Sequence, residues 1–311
     1  MQFDAHCIEC LVHRHFVLTQ KKDDGEKAYA YLRDVMQAIL DAPAGVSAPW
    51  LTAQFNRAYA KYWPGEDAYA QLKRDSNDLV LELLPKLRPM VEAAEDPLAL
   101  ALQFARTGNF LDFGILTPEI AHRALWEAVE HTPDMALDEA VYESFRRDLA
   151  GAGVLLILGD NAGEIAFDTL FVEQLRAQAP QLEIVYCVRG ANTLNDATRA
   201  DASYVGMDRL CRIVDNGSAI SGTEPDYLGD ELRQELNRAD VILSKGSGNL
   251  ESLAGCGRNV YYLFMCKCQR MAKLLGCENM TGHFLREKDL PPFDPLVGAL
   301  ECNHPRPMNF S

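Results

Sequence analysis

The chain has 311 residues, 48% of them hydrophobic, and a formal net charge of −15. That length supports a large core and two compact units, and the apolar content excludes disorder for most of it. The acidity argues against nucleic acid as a general partner, and because small anions are also repelled at long range, a phosphate ester would need a local positive centre.

The start, Met1-Gln2-Phe3-Asp4-Ala5-His6-Cys7, lacks the basic, then apolar, then small-residue order of a signal peptide. With no apolar run long enough to cross a bilayer, the expectation is a soluble cytoplasmic protein without a membrane partner. Helical spacing then predicts a run of helices. Ala28, Leu32, Val35, Met36, Ile39 and Leu40 recur on one face. So do Leu79, Val80, Leu83, Leu84, Leu87 and Val91, after a cap expected at Ser76-Asn77-Asp78. Leu98 to Ala105 and His122 to Glu130 read the same way, with prolines 43, 49, 64, 97, 118 and 133 as the breaks. No strand is expected before about residue 150, so residues 1–150 are read as an all-helical domain.

From there the pattern changes. Val154-Leu155-Leu156-Ile157-Leu158 is a short continuous apolar run, the mark of a strand buried on both faces. Similar runs follow at 184–188, 212–214, 241–243 and 260–264, separated by helical stretches such as Glu164 to Gln178. Strands alternating with helices imply an α/β fold with a parallel sheet over residues 151–311. The tail from Pro291 to Ser311 is proline-rich and is expected to wind over the surface.

In such sheets ligands bind beyond the carboxyl ends of the strands. The first strand runs into Gly159-Asp160-Asn161-Ala162-Gly163-Glu164. The second runs into Arg189-Gly190-Ala191-Asn192 and then Asn195-Asp196. A later one runs into Ser244-Lys245-Gly246-Ser247-Gly248-Asn249. Asp160 and Asp196 offer hard anionic oxygens and Asn161 an amide oxygen, a set that suits Mg²⁺ or Mn²⁺ better than zinc. Lys245 is a point positive charge for phosphate, and Gly246 and Gly248 would let backbone N–H groups approach one. Each has a plainer reading. Asp160 and Asp196 could cap the helices that follow them, Lys245 could be solvated, and the glycines could be turns.

These blocks resemble the signatures of the DUF89 family, the damage-control phosphatases. The resemblance also takes in Asn195-Asp196-Ala197-Thr198 with Asp201-Ala202, the stretch Thr107-Gly108-Asn109-Phe110-Leu111-Asp112-Phe113, and Cys7-x-x-Cys10 as in the microbial branch. It implies a helical N-terminal region beside a three-layer α/β/α sandwich with a parallel-rich sheet. It further implies a divalent ion, Mn²⁺ or Mg²⁺ with Co²⁺ or Ni²⁺ as alternatives, held by Asp160, Asn161 and Asp196, with Lys245 on the phosphate. The implied activity is hydrolysis of phosphate monoesters of small metabolites such as sugar phosphates. Ser247 stands where the family often has Gln or Asn, which leaves the substrate open.

Asp160, Asp196 and Lys245 are therefore the expected catalytic residues. Lys245, Ser247, Gly248, Asn192, Asn195 and Asn109 are expected to bind substrate, and Asp112 to help close the site from the helical half. Glu164 could steady a water at the metal or simply favour the first turn of its helix. Two rival functions remain. One is an S-adenosylmethionine-dependent carboxyl methyltransferase, since a Gly-Asp-x-x-Gly turn can cradle a nucleoside. The other is a phosphometabolite-binding module without turnover.

The nine cysteines, an odd number without a leader sequence, do not read as a disulfide framework. Cys7, Cys10, Cys266 and Cys268 could meet around one structural zinc. The Cys-x-Cys spacing is tighter than zinc sites usually show, so the favoured expectation is that these thiols pack the first helix against the sheet.

Overall fold

The computed structural model describes residues 1–109 and 118–290. Seven helices come first: α1 (Ala5–Gln20), α2 (Gly25–Leu40), α3 (Ala48–Tyr62), α4 (Ala70–Glu92), α5 (Pro97–Gly108), α6 (Pro118–His131) and α7 (Glu139–Ala150). The alternating half follows as β1 (Val154–Leu158), α8 (Glu164–Gln178), β2 (Glu183–Val188), α9 (Arg199–Val205) and β3 (Arg212–Asp215). It continues with α10 (Asp230–Arg238), β4 (Val241–Lys245), α11 (Gly246–Leu253), β5 (Val260–Cys266), α12 (Gln269–Leu275) and β6 (Thr281–Arg286). Among the described residues no helix is long and apolar enough to cross a membrane.

The six strands lie in the order β3-β2-β1-β4-β5-β6. All neighbours are parallel except β6, which runs antiparallel to β5 along the edge. The strand order reverses between β1 and β4, and that is where a parallel sheet opens its ligand crevice. Alternate strand residues serve opposite faces. Leu155, Ile157, Tyr186, Leu243 and Leu263 pack with Phe104 of α5, Phe145 of α7 and Phe167 and Phe171 of α8. Leu156, Leu158, Val185, Ile242 and Phe264 pack with Leu232 of α10, Leu250 of α11 and Met271 of α12. Both faces are covered, so the architecture is the expected three-layer α/β/α sandwich.

The helical half is less uniform than its sequence implied. Val80, Leu83, Leu84 and Leu87 of α4 and the apolar faces of α5 and α7 share one core with the sheet. Among the described residues, α1 to α3 build a separate core around Tyr31, Trp50, Phe55, Tyr59 and Trp63, which Ile220 of the α/β half joins. The expected cap at 76–78 is a correction: α4 begins at Ala70, and Ser76 and Asn77 are buried within it. Asn77 serves another element instead. Its Nδ2 donates to Asp201 (3.0 Å) and its Oδ1 accepts from Gly163 N (2.7 Å), so a mid-helix amide fixes the entry to α8. β6 was not expected at all. The segment 110–113 and the tail from Pro291, with Asp112, lie outside the described residues.

Candidate active site

The carboxyl ends of β1 and β2 are tied together by their loops. Ala162 N donates to Asn195 O (2.8 Å) and Ala197 N to Asp160 O (2.8 Å), so Asn161 and Asp196 form an isolated antiparallel bridge. This brings Asp160, Asn161 and Asp196, 36 residues apart at the extremes of the set, to one place. Neither aspartate is a helix cap. Gly163, with φ of 78°, caps α8, and at the start of α9 it is Asp201 that accepts from Thr198 N and Oγ1 (2.8 and 2.7 Å).

Between the two aspartates lies Arg189, the residue just past β2. It is buried, and its Nε donates to Asp196 Oδ2 (2.6 Å) and one Nη to Asp160 Oδ1 (3.3 Å). Its other Nη reaches Asn249 Oδ1 (3.2 Å). Ser221 Oγ donates to Asp196 (2.7 Å to Oδ1). Arg189 and Ser221 were not singled out from sequence. An arginine at a strand end reads as solvated until its partners are known, and Ser221 sits in a loop with no pattern around it.

On the other side of Asp160, Asn109 and Asn161 both donate to its Oδ2 (3.0 and 2.8 Å) and to Glu164 Oε2 (2.8 and 3.2 Å). Asn109 is held in turn by Met265 N, which donates to its Oδ1 (2.9 Å). The end of α5 thus reaches Asp160 and Glu164 through Asn109. Gly246 makes room for this arrangement. It has φ of 76°, and a Cβ there would overlap the Asp160 carboxylate.

Lys245 is where burial changes the sequence reading. Its side chain is 0% exposed. Its ammonium donates to Asp168 Oδ1 (2.6 Å) and Ala105 O (3.0 Å) and forms an ion pair with Glu164 Oε1 (2.6 Å). Burial opposes its charge, but Asp168 and Glu164 outweigh burial and raise its pKa. A phosphoryl oxygen could reach Lys245 only by displacing one of these partners. Tyr186 donates to the far oxygen of Asp168 (2.6 Å), completing the chain.

Of the remaining expected residues, Asn192 is exposed and Asn195 half-buried, both on the loop between β2 and α9. Ser247 and Gly248 lie half-buried in the first turn of α11. Gly248 has a packing reason to lack a side chain, since a Cβ there would collide with Ser221 O. Lys267, half-buried just after β5, was not considered from sequence. It is close enough to lower the pKa of Asp160.

The electrostatics follow from this list. Asp160, Glu164, Asp168 and Asp196 are four carboxylates within one hydrogen-bonded group, and Arg189 and Lys245 are the two cations within it. The group is short of two positive charges. Burial, then the charges of Asp196 and Glu164, push Asp160 up to about 8, against the weaker pull of Arg189 and Lys267. Uncompensated buried carboxylates of this kind either take up protons or hold a cation. A divalent ion has the missing charge, and the all-oxygen donor set fits a hard one.

Comparison with known proteins agrees with the fold. A profile for the "Damage-control phosphatase ARMT1-like domain" matches residues 3–281. A damage-control phosphatase of Archaeoglobus fulgidus is 28% identical over 281 residues, covering 89% of this chain and 96% of its own. An uncharacterized protein of Methanocaldococcus jannaschii is also 28% identical, over 89% of this chain and 93% of its own. A crystal structure of a DUF89-family protein from Pyrococcus horikoshii superposes with a TM-score of 0.81, covering 92% of this chain and 99% of that one at 20% identity.

Proposed function

The chain belongs to the ARMT1-like damage-control phosphatase family and is a phosphatase; from that premise we propose that it hydrolyses phosphate monoesters of small metabolites with the help of a divalent metal ion. The observation that carries the metal is the deficit of two positive charges among Asp160, Glu164, Asp168 and Asp196. Asp160, Asn161 and Asp196 would hold the ion, Mn²⁺ or Mg²⁺ by donor chemistry. When bound, it supplies positive charge against the phosphoryl oxygens.

The protein's own residues do the rest. Asn109, Asn161 and Arg189 fix the orientation of the Asp160 carboxylate through donors on both of its oxygens. Arg189 and Ser221 do the same for Asp196. Lys245 acts from behind, paired with Glu164 Oε1 beside Asp160. Lys267, nearer the surface, becomes the candidate phosphate contact, because its charge acts on Asp160 and it is half-exposed. Ser247, Gly248, Asn192 and Asn195 would line the substrate pocket. This reading places the substrate where the helical region, residues 1–150, meets the α/β/α region, residues 151–311, inside a cytoplasmic enzyme.

The test is a panel of phosphorylated metabolites assayed after chelation and again after adding Mn²⁺ or Mg²⁺. Phosphate release restored by the ion supports the reading. Full turnover after rigorous chelation would remove the metal from it.

A further inference from the structure

Among the described residues, Cys7, Cys10, Cys266 and Cys268, which the sequence left open as a less favoured zinc site, do not form a converging ligand set. Cys7 is buried within α1 and Cys10 is exposed on it. A different set converges. Cys266 ends β5, Cys277 follows the turn out of α12, and His283 lies on β6. Their three ligand atoms all lie within 4.8 Å of one another.

The backbone explains why. Phe264 and His283 are direct partners across the antiparallel pair β5–β6, and Cys266 pairs with Thr281. Cys266 stands two residues from Phe264 on the same face, so it is a diagonal neighbour of His283. The imidazole is stacked on Phe264, with ring centres 5.2 Å apart and planes at 24°, which fixes its direction. α12 then packs against this face, and its left-handed cap at Gly276 (φ 64°) turns the chain so that Cys277 N bonds back to Ala272 O (3.0 Å). That turn delivers the Cys277 sulfur to within 3.2 Å of His283 Nε2. The separation is near the sulfur–nitrogen edge, about 3.6 Å, of a tetrahedron built on ordinary zinc–sulfur and zinc–nitrogen lengths.

We propose that Cys266, Cys277 and His283 form a second metal site, for a thiophilic divalent ion such as zinc, separate from the oxygen-lined crevice. Two thiolates and one imidazole are the donor set that selects zinc over Mg²⁺ or Mn²⁺. Two thiol protons leave as the ion binds, so the site is neutral once filled. Cys277 and His283 are half-buried, which leaves a path from solvent and a fourth position for water. The ion would join β5, α12 and β6 at one point. It would thereby brace the segment after Cys266, which carries Lys267 toward Asp160.

Cobalt is the probe. Reduced, chelator-stripped protein is titrated with Co²⁺ in the presence of excess Mg²⁺, which can fill an oxygen site but competes poorly for thiolates. The expected result is a thiolate-to-cobalt charge-transfer band that saturates at one equivalent. Cys277→Ser should reduce the band. His283→Ala should weaken Co²⁺ binding by more than the roughly ten- to hundredfold that losing an outer partner costs. Cys256→Ser, a thiol outside the cluster, should leave both unchanged. Cys266 is buried and its serine variant is at risk of misfolding, so the half-buried Cys277 and His283 carry the test, each checked for parental circular dichroism. A folded parent that gives no charge-transfer band overturns the site. So does a band of full intensity in a folded Cys277→Ser, His283→Ala double variant.

Discussion

Arg189 Nε lies 2.6 Å from Asp196 Oδ2, in a pair whose two side chains are 1% and 2% exposed. The same guanidinium reaches Asp160, so one buried cation separates the two aspartates that would share a metal ion. Breaking a buried pair by removing one partner leaves an uncompensated charge and costs about 3–5 kcal/mol. Arg189→Met should therefore lower the stability of the metal-free protein by that order, read as a fall in the urea midpoint. Arg189→Lys should recover little of it, because an ammonium cannot span both carboxylates with a fixed fork. A stability loss under about 1 kcal/mol for Arg189→Met, the range of an exposed pair, would show that Arg189 is not the bridge.

Asp160→Asn should have effects of opposite sign on metal binding and on stability. Its carboxyl is held far above the usual range by burial, then by Asp196 and Glu164. A raised carboxyl binds its proton more tightly folded than unfolded, so its contribution is present at low pH and lost as pH rises through the folded value. At pH 8 and above the metal-free parent carries the cost of that charge and the asparagine variant does not. The variant should thus unfold at a higher urea concentration without metal. With metal it should bind Mn²⁺ roughly ten- to hundredfold more weakly, the cost of one charge-assisted contact. Calorimetric titration and urea unfolding at pH 8 read both. Parental Mn²⁺ affinity in the variant would remove Asp160 from the ligand set.

The contrast between these residues shows what the sequence could carry. Strands β1, β2, β4 and β5 were legible as continuous apolar runs, the consequence of burial on both faces, and the edge strand β3 by the short Ile213-Val214 pair in the alternation of strands with helices. β6 was not, because Thr281-Gly282-His283-Phe284-Leu285-Arg286 is an edge strand with Phe284 as its one buried residue. The gathering of Asp160, Asn161 and Asp196 was legible from the rule about strand ends. The setting of Lys245 was not. Its partners sit at positions 105, 164 and 168, and no local spacing announces a contact of that range. Sequence gave its charge and its strand end, and from those a phosphate contact was the simplest inference.

That difference yields a paired prediction. Lys245→Met should cost about 3–5 kcal/mol of stability, because Glu164 and Asp168 lose their common cation. Lys267→Ala should change stability by no more than about 0.5 kcal/mol, as for a surface substitution. It should instead lower kcat/KM by roughly one to two decades, the value of one charge-assisted contact to a phosphate. Urea unfolding and steady-state kinetics on the same preparations distinguish the two. Unchanged kinetics for Lys267→Ala, with a folded Lys245→Met that fails to bind inorganic phosphate, would return the phosphate to Lys245.

A pH effect is expected far from the site. His15 is buried in the α1–α3 core, its Nδ1 bonded to Tyr31 and its ring edge-on to Phe55 at 5.0 Å. Its Nε2 has no hydrogen-bond partner, so a second ring proton would be buried without an acceptor. Burial, and then Arg14, push it down to about 4. A depressed histidine contributes stability that is present above its unfolded value of 6.5 and lost as pH falls through the folded one. Each unit is worth about 1.4 kcal/mol, so a loss of a few kcal/mol is expected between pH 6.5 and 4. Thermal melts of parent and His15→Asn across that window should converge as pH falls, because only the parent has this group to protonate. Parallel curves would mean that His15 titrates normally.

The last prediction uses Gly246, where backbone and site meet. Its φ of 76° disfavours any residue with a side chain, and a Cβ would overlap the Asp160 carboxylate. Gly255 supplies the control. It has φ of 89°, but a Cβ there meets nothing within 4 Å. Gly255→Ala should thus cost about 1–2 kcal/mol from the left-handed backbone alone and leave Mn²⁺ affinity at the parental value. Gly246→Ala carries the same backbone penalty and must also push Asp160 aside. Its stability loss should exceed that of the control, and its Mn²⁺ affinity should fall with it, because the carboxylate leaves the position that Asn109, Asn161 and Arg189 define. Urea unfolding and calorimetric titration of the two variants give both comparisons. If Gly246→Ala loses stability but binds Mn²⁺ as tightly as Gly255→Ala, the placement of Asp160 is not what the metal reads, and the ligand set must be drawn from Asp196 and its neighbours instead.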